Sequence, residues 1–502
     1  MFARVASATV IGIEAAPIHV EVDVGVGLPC CNIVGLPDAG IREGRVRIRG
    51  ALENSGFKLP PRRVTVNLAP ADLRKDGAAF DVPIAIGMLC AGGVIAPEAT
   101  ADTLFVGELA LDGTLRPVRG VLPIAAWARA RGVRRLIVPP ENAGEAQVVG
   151  AGEVQAPRTL VELVAVLRGE AAGPPAIASP LTPSRVAWIP DLADVRGQEV
   201  PRRSLEIAAA GGHNLLFVGA PGSGKTMLAQ RLPGILPPLT FEEALETTMV
   251  FSIAGLLGGS SLVGARPFRA PHHTASPAGL VGGGPNAFPG EISLAHNGVL
   301  FLDELLEYPR AVLETLRQPL EDRRVTIVRA RRRVTYPADF MLIAALNPCP
   351  CGHLGSPVRT CTCSAAAIAA YRSRLSGPLL DRIDLHVEVP VLPYHDLAHA
   401  APGEPTAAVR ERVAAARDRQ AARGRGWNAR LTSAALGTVA PLDAGGHALL
   451  EKATTRLGLS ARAVMRIRRV ARTIADLEGR IEIRTSHLAE ALQYRVLDQA
   501  VN

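Results

Sequence analysis

The sequence predicts an α/β protein whose central part is a parallel sheet. Three observations lead there. The first is a glycine-rich run, Gly219-Ala220-Pro221-Gly222-Ser223-Gly224-Lys225-Thr226, set between the apolar stretch Leu215–Val218 and the apolar helix start Met227-Leu228-Ala229. That is a phosphate-binding loop in its strand–loop–helix context. The second is a set of short apolar runs, Leu215–Val218, Val299–Leu302 and Met341–Leu346, of the kind that form strands buried on both faces. The third is length: 502 residues, at roughly 150 per domain, give about three domains.

Taken in order, residues 1–168 read as strands alternating with helices. Ile18 to Val24 is apolar at even positions and polar at odd ones, Val64 to Leu68 alternates likewise, and Ile84 to Leu89 reads as helix. His19 falls on the polar face, where a solvated histidine is expected. Residues 169–186, GEAAGPPAIASPLTPSRV, lack periodicity and read as a linker. Residues 187–395 form the nucleotide-binding α/β core, with a cysteine-rich insert at 349–363. Residues 396–430 read as a helical connector and 431–502 as a C-terminal helical lid.

Composition narrows the function classes. Hydrophobic residues make up 48% of the chain and charged ones 20%, which excludes a disordered tail protein. The longest uncharged run, Ala270 to Gly290, carries four prolines, and Thr247 to Ala265 holds four glycines, so neither reads as a membrane span. The N-terminus lacks a secretory cleavage pattern, and four of the seven cysteines crowd into 15 residues, unlike an extracellular disulfide frame. A soluble, cytoplasmic protein without membrane contact is expected. The net charge of +8 admits acidic partners. Only four basic residues are lysine (Lys58, Lys75, Lys225, Lys452), against 51 arginines, for which a coding bias is a sufficient general explanation.

The phosphate loop dictates its own chemistry. Its glycines let backbone N–H groups wrap phosphates at a helix N-terminus, Lys225 reaches the β- and γ-phosphates of ATP, and the Thr226 hydroxyl suits Mg²⁺. The run Val299-Leu300-Phe301-Leu302-Asp303-Glu304 supplies the partners. Asp303 at the strand end is placed to hold Mg²⁺, and Glu304 to polarise the attacking water.

Beyond these, the sequence resembles the AAA+ ATPases. Met341 to Leu346 followed by Asn347 is similar to their sensor-1 strand, although Asn347 by itself also fits a turn. Gly377-Pro-Leu-Leu-Asp-Arg382-Ile-Asp384 resembles their arginine-finger segment, and Ser460-Ala461-Arg462-Ala463 their sensor-2 arginine. The stretches Arg266-Pro-Phe-Arg-Ala-Pro-His-His-Thr274, Gly282-Gly-Gly, Pro289-Gly-Glu-Ile-Ser-Leu-Ala-His-Asn-Gly298 and Asn347-Pro-Cys-Pro-Cys-Gly352 resemble the ComM/YifB family, magnesium-chelatase-like bacterial proteins, over essentially the whole chain. The resemblance implies a Lon-protease-like (ribosomal S5 domain 2-like) α+β front domain, an AAA+ motor assembling as a hexameric homo-oligomer, and ATP-driven branch migration or unwinding of DNA in recombination and natural transformation.

Within the front domain, Lys75-Asp-Gly-Ala-Ala79-Phe-Asp81 resembles the nucleophile segment of Lon, with Ala79 in the nucleophile's place. Val106-Gly-Glu-Leu and Pro117-Val-Arg-Gly-Val-Leu122 resemble the segment carrying Lon's lysine, with Leu122 in its place. A Ser/Lys dyad needs a hydroxyl and a titratable amine, so no protease activity is expected, and assembly or partner binding is the default role.

Two further features carry chemistry. Cys349-Pro-Cys351 and Cys361-Thr-Cys363 give four thiols at a spacing that fits a structural Zn²⁺ site, against the alternative of four reduced surface cysteines; His353 between them reads as a bystander. Cys30, Cys31 and Cys90 lie in apolar contexts and read as core. Arg323, Arg324, Arg329, Arg331, Arg332 and Arg333 lie within eleven residues, flanked by Val325–Val328 and Val334–Tyr336, which predicts a β-hairpin with a basic tip. In related AAA+ helicases such a hairpin points into the pore, which fits sequence-nonspecific, salt-sensitive contact with single-stranded or branched DNA. A solvated arginine-rich turn is the alternative. Three functional readings stay open: a DNA-stimulated ring motor, a magnesium-chelatase-type motor subunit, and a protein-remodelling ATPase.

Overall fold

The computed structural model describes all residues except 59–60, 74, 76, 175–188, 285, 330–331, 357–358, 394, 396–398, 425, 496 and 498–502. The predicted linker from residue 175 onward and Arg331 therefore lie outside the described residues.

The front domain is built on a seven-stranded mixed sheet, in the order Cys30–Val34, Arg63–Ala69, Glu14–Gly25, Phe2–Ile11, Thr103–Phe105, Arg135–Ile137, Glu153–Gln155. Phe2–Ile11 and Glu14–Gly25 pair antiparallel in register from Phe2 opposite Asp23 to Ile11 opposite Glu14. The even positions Ile18, Val20, Val22 and Val24 are buried, as the two-residue period requires. Against both long strands packs the helix Asp81–Ala91, every residue of which is buried. A helix apolar all round can only sit inside a core. His19 is half-buried, and burial with the charge of Arg4 lowers its pKa. The expectation of core cysteines holds for Cys90 alone: Cys30 is exposed and Cys31 half-buried, because Cys30–Val34 is the edge strand.

The core sheet is parallel, in the order Phe268–Arg269, Val299–Leu302, Met341–Leu346, Leu215–Val218, Leu385–Glu388. Its three inner strands are the three apolar runs read from the sequence. Their carboxyl ends lie together, which brings Gly219, Asp303 and Asn347 to one edge, where α/β sheets bind ligands. The helices Thr406–Ala422, Ala444–Leu457, Ala461–Leu477 and Thr485–Gln493 follow, and their apolar faces share one buried cluster with a face of this sheet.

The front domain is joined to the core by buried polar contacts. The helix Phe241–Ala254 lies against Val121–Ala130 of the front domain. Ser252 Oγ donates to Glu145 Oε2 at 2.6 Å, and the Ser252 carbonyl accepts from Gly120 N at 3.1 Å. Glu145 also accepts from Asn142 Nδ2 at 2.6 Å and Leu122 N at 3.2 Å. Burial raises its pKa, against the pull of these donors.

Candidate functional site

The loop Gly219–Gly224 turns directly into the helix Lys225–Ile235 through Gly224, whose φ of 94° a side chain would resist. Lys225 is buried. Its Nζ donates to Gly219 O at 2.6 Å, Ala220 O at 2.9 Å and Asn347 Oδ1 at 3.2 Å. Burial lowers its pKa, while Asp303 and Glu304 act to raise it. Thr226 Oγ1 donates to Asp303 Oδ2 at 2.6 Å. The hydroxyl of Ser223 is buried with no partner among the described residues. The site thus holds a cationic amine, an orphaned hydroxyl and a hydroxyl–carboxylate pair, a donor set that fits the phosphates and the divalent cation of a nucleotide.

Beside the loop, Gln198 Nε2 reaches Ser223 O at 3.3 Å and Pro390 O at 2.8 Å. An adjoining cavity of about 570 Å³ is lined by Gly197, Val200, Leu392 and Tyr494, among others. Sequence reasoning missed these residues, since they come from three distant segments and form no motif.

Glu304 has φ 49° and ψ 49°, the left-handed region, so its side chain leaves the strand end in a direction ordinary extended backbone would not give. Its Oε2 lies 3.4 Å from His273 Nδ1. His273 follows the edge strand Phe268–Arg269 and stacks beside His272 at 4.1 Å between ring centroids. This neighbour was also not singled out, although the adjacent histidines of the Arg266–Thr274 stretch were the available signal. The two arginines of that stretch act structurally: Arg266 donates to Pro237 O and Asn297 O, and Arg269 binds Glu291 through two bonds of 2.6 and 2.7 Å.

Arg382 and Arg462 are brought together, but away from this loop. Asn214, at the opposite end of the strand Leu215–Val218, donates to Arg382 O at 2.9 Å. Five residues of strand from Asn214 to Gly219 span roughly 16 Å. At this far edge a cavity of about 290 Å³ is lined by Arg323, Arg382, Arg430, Arg462, Arg466 and Arg469, with Trp427. Asp339 pairs with Arg430 and Arg323, and Asp384 with Arg466. Arg382 Nη2 meets Glu321 at 2.5 Å, while the Nε groups of Arg382 and Arg469 find no partner among the described residues.

The arginine-rich segment is a hairpin, Arg324–Arg329 paired with Arg332–Pro337, in register from Arg324 opposite Pro337 to Arg329 opposite Arg332. Val325, Ile327, Val334 and Tyr336 are buried on one face; Arg324 and Arg333 are exposed on the other. Arg323 is set apart from them. It ends the preceding helix at φ 54° and lines the far-edge cavity instead.

The four cysteine sulfurs lie within 4.8 Å of one another, with Cys349 to Cys351 at 3.4 Å and Cys361 at 3.6 Å from each of them. Tetrahedral zinc at about 2.3 Å from each sulfur places sulfurs about 3.8 Å apart, so the donor set fits. Backbone N–H groups of His353 and Thr362 hold the Cys351 thiol down to about 5. In the front domain, Ala79 lines a cavity of about 410 Å³ and Leu122 is fully buried. Lys75 is spent on the carbonyls of Gly35 and Pro70. No helix among the described residues is long and apolar enough to cross a membrane.

Comparison with known proteins agrees with this layout. Family models of the magnesium chelatase subunit ChlI match residues 191–397, residues 20–142 and, for its C-terminal part, residues 403–495. Competence protein ComM of Haemophilus influenzae is 47% identical over 493 residues, 97% of this chain and 96% of that protein. The YifB proteins of Salmonella typhimurium and Escherichia coli are 45% and 44% identical, each over 97% of this chain and 96% of their own. With a phosphate loop, an acidic strand end and a polar third strand on one sheet edge, and full-length relatives on this scale, the chain belongs to the ComM/YifB family of magnesium-chelatase-like AAA+ ATPases.

Proposed function

We propose that this ATPase is a ring-forming motor that acts on DNA, as a helicase or branch-migration factor in homologous recombination, and in natural transformation where the host is competent. The observation that carries the reading is the hairpin Arg324–Pro337. Its apolar face is anchored in the nucleotide core, while Arg324 and Arg333 face outward, so charge on a polyanion can act mechanically on the ATPase. The relative named for competence supports the same assignment.

In this reading Lys225 binds the β- and γ-phosphates, and Thr226 with Asp303 holds Mg²⁺, which when bound neutralises developing phosphate charge. Glu304 polarises the attacking water and Asn347 orients it. The cleft at Gly197, Val200, Leu392 and Tyr494 takes the adenine. Arg382 and Arg462, too far to reach this chain's own loop, complete the site of a neighbouring subunit in the ring. Zn²⁺ on Cys349, Cys351, Cys361 and Cys363 braces the loop behind Asn347. Because Ala79 and Leu122 supply neither nucleophile nor base, the front domain serves assembly rather than proteolysis.

The test is ATP turnover and strand displacement on single-stranded, duplex and branched DNA, with Lys225→Ala as control. Stimulation by DNA that disappears when Arg324, Arg329, Arg331, Arg332 and Arg333 are replaced supports the reading; indifference to DNA defeats it. The family models favour one second reading, a chelatase-type motor subunit. Stimulation by chelatase partner subunits without response to DNA would select it.

A further inference from the structure

The edge of the front-domain sheet carries apolar side chains where solvent-facing polar ones are expected. The strand Cys30–Val34 pairs only with Arg63–Ala69, so one side of its backbone is open. Its odd positions, Cys31 and Ile33, pack against the front-domain core. Its register sets Cys30, Asn32 and Val34 beside Arg63, Thr65 and Asn67, on the outer face. On that face a strand with one buried side shows polar residues. Here the exposed positions run at a two-residue spacing through the flanking turns as Leu28, Cys30, Asn32, Val34 and Leu36, and only Asn32 is polar. Val26 and Leu28 are 91% and 87% exposed. Apolar side chains gathered on one surface in this way mark a contact site, and an open strand edge is a template for another strand.

The surroundings are basic. Residues 25–63 hold seven arginines and lysines against three acidic residues, a net +4 of the chain's +8. The helix Ala39–Asn54 exposes Arg42, Arg45, Val46 and Arg49, spaced as one helical face. Arg45 Nη1 donates to Cys31 O at 3.0 Å, which sets this face beside the strand edge. Two of the three acids are engaged, Glu53 with Arg49 at 2.8 Å and Asp38 with Ile41 N at 2.8 Å. A second copy of the same edge would bring arginine against arginine. The other edge strands of the two large sheets, Glu153–Gln155, Phe268–Arg269 and Leu385–Glu388, are all shorter. The hydrogen bonds that join the front domain to the core come from Gly120 and Glu145, not from this strand.

We propose that the strand Cys30–Val34 takes an extended segment of another protein, with apolar and acidic residues alternating, as an added strand. Backbone hydrogen bonds along the open edge supply the pairing. Leu28, Val34 and Leu36 cover the apolar side chains of the segment, and Arg42, Arg45 and Arg49 meet its carboxylates, which fixes partner choice more than strength. The proposal is independent of the DNA reading, since no residue of the hairpin or the nucleotide site takes part.

The experiment selects a displayed library of random decapeptides against the full chain. Enriched peptides are then synthesised with a fluorophore and titrated against wild type, Val34→Asp and the pair Arg42→Glu with Arg49→Glu, each checked by melting. Expected are peptides that alternate apolar residues with Asp or Glu, bind V34D and the double variant about tenfold or more weakly, and slow amide exchange across residues 30–34. If V34D fails to fold, Leu28→Asp, in the turn before the strand, takes its place. No enrichment, or peptides that bind the variants as they bind wild type, overturns the proposal. Sedimentation showing self-association of wild type that V34D abolishes would give the surface to a second copy and overturn it too. So would loss of single-stranded DNA binding in the double variant with V34D unaffected, which would make the basic face a nucleic-acid contact.

Discussion

Gly12, at the turn of the first hairpin of the front domain, sits directly on the backbone of Thr335 in the arginine hairpin of the core. A β-carbon on Gly12 would lie 3.1 Å from both Thr335 O and Val334 Cγ1, and the residue has φ +65°. Val10, Ile11 and Ile13 pack into the same cluster as Val334 and Tyr336. The front domain thus buttresses the strand that carries the exposed Arg333.

The first prediction follows from that contact. Gly12→Val must shift Val334–Thr335 and also forces a branched side chain into the left-handed region, at a local cost of about 1–2 kcal/mol. The stimulation of ATP turnover by DNA should fall, with KM for ATP unaffected. An unaltered stimulation ratio in a folded G12V protein would show that the front domain does not set the hairpin.

The joint between the domains gives the second. Ser252→Ala removes one of three donors to the buried Glu145 carboxylate. Loss of a hydrogen bond to a buried charged group costs about 2 kcal/mol. The pH sign is set by the raised pKa of Glu145. A carboxyl whose folded value lies above its unfolded one contributes stability in acid, lost as pH rises through the folded value. Removing a donor raises that folded value further. The melting-temperature deficit of S252A should therefore be largest at neutral pH and shrink as the solution is acidified. A deficit independent of pH would mean that Glu145 is not the group responding.

How much of this was legible beforehand depends on whether the chemistry is local. Gly219 to Thr226 and Asp303 stand out because a phosphate loop and an acidic strand end need particular residues within a few positions, whereas Asn347 by itself also fits a turn and is marked only by the AAA+ resemblance. Helix Asp81–Ala91 and the hairpin pairing likewise declare themselves through apolar runs and alternation. The two-residue strand Phe268–Arg269 is too short for any period to show, and Leu385–Glu388 carries a buried histidine that breaks an apolar run. The grouping of Arg462 with Arg382, the separation of Arg323 from its neighbours, and the exposure of Cys30 are properties of tertiary placement. No local pattern distinguishes one arginine among 51 from another.

Metal removal gives the third prediction. The Gly352 backbone lies against Pro221 of the phosphate loop, with room for nothing larger: a β-carbon there would be 2.5 Å from Pro221 Cδ. Asn347, two residues before Cys349, contacts Lys225. The protein as purified should contain about one zinc per chain, released on thiol modification. Stripping it, or Cys361→Ser with Cys363→Ser, should weaken nucleotide affinity by about fivefold or more. Full affinity in zinc-free, folded protein would show that the four-cysteine loop does not support the nucleotide site.

The far-edge arginines give a fourth, read by mixing subunits. If Arg382 serves a neighbour's nucleotide, Arg382→Ala and Lys225→Ala proteins should each be inactive alone. A mixed assembly would place an intact arginine beside an intact phosphate loop at some interfaces. Recovery of a fraction of wild-type turnover on mixing is expected, and the same for Arg462→Ala. If mixtures that exchange subunits stay inactive, these arginines do not act across an interface.

The last prediction concerns Lys225, a lysine in a chain that otherwise uses arginine at 51 of 55 basic positions. Its Nζ makes three contacts of 2.6 to 3.2 Å with two carbonyls of the loop and the amide of Asn347. Three rotatable N–H donors on a compact ammonium satisfy those acceptors from one point, whereas a planar guanidinium spreads its donors over a fixed fork. Lys225 is also buried at 8% exposure, leaving no room for the larger group without moving Gly219 and Ala220. Lys225→Arg, though it conserves charge, should therefore lose ATP turnover to the level of Lys225→Ala, while the melting temperature shows that the fold survives. If K225R keeps a substantial fraction of wild-type kcat, the site needs only a positive charge. In that case the lysine would carry no more geometric meaning than Lys58 or Lys452 on the surface.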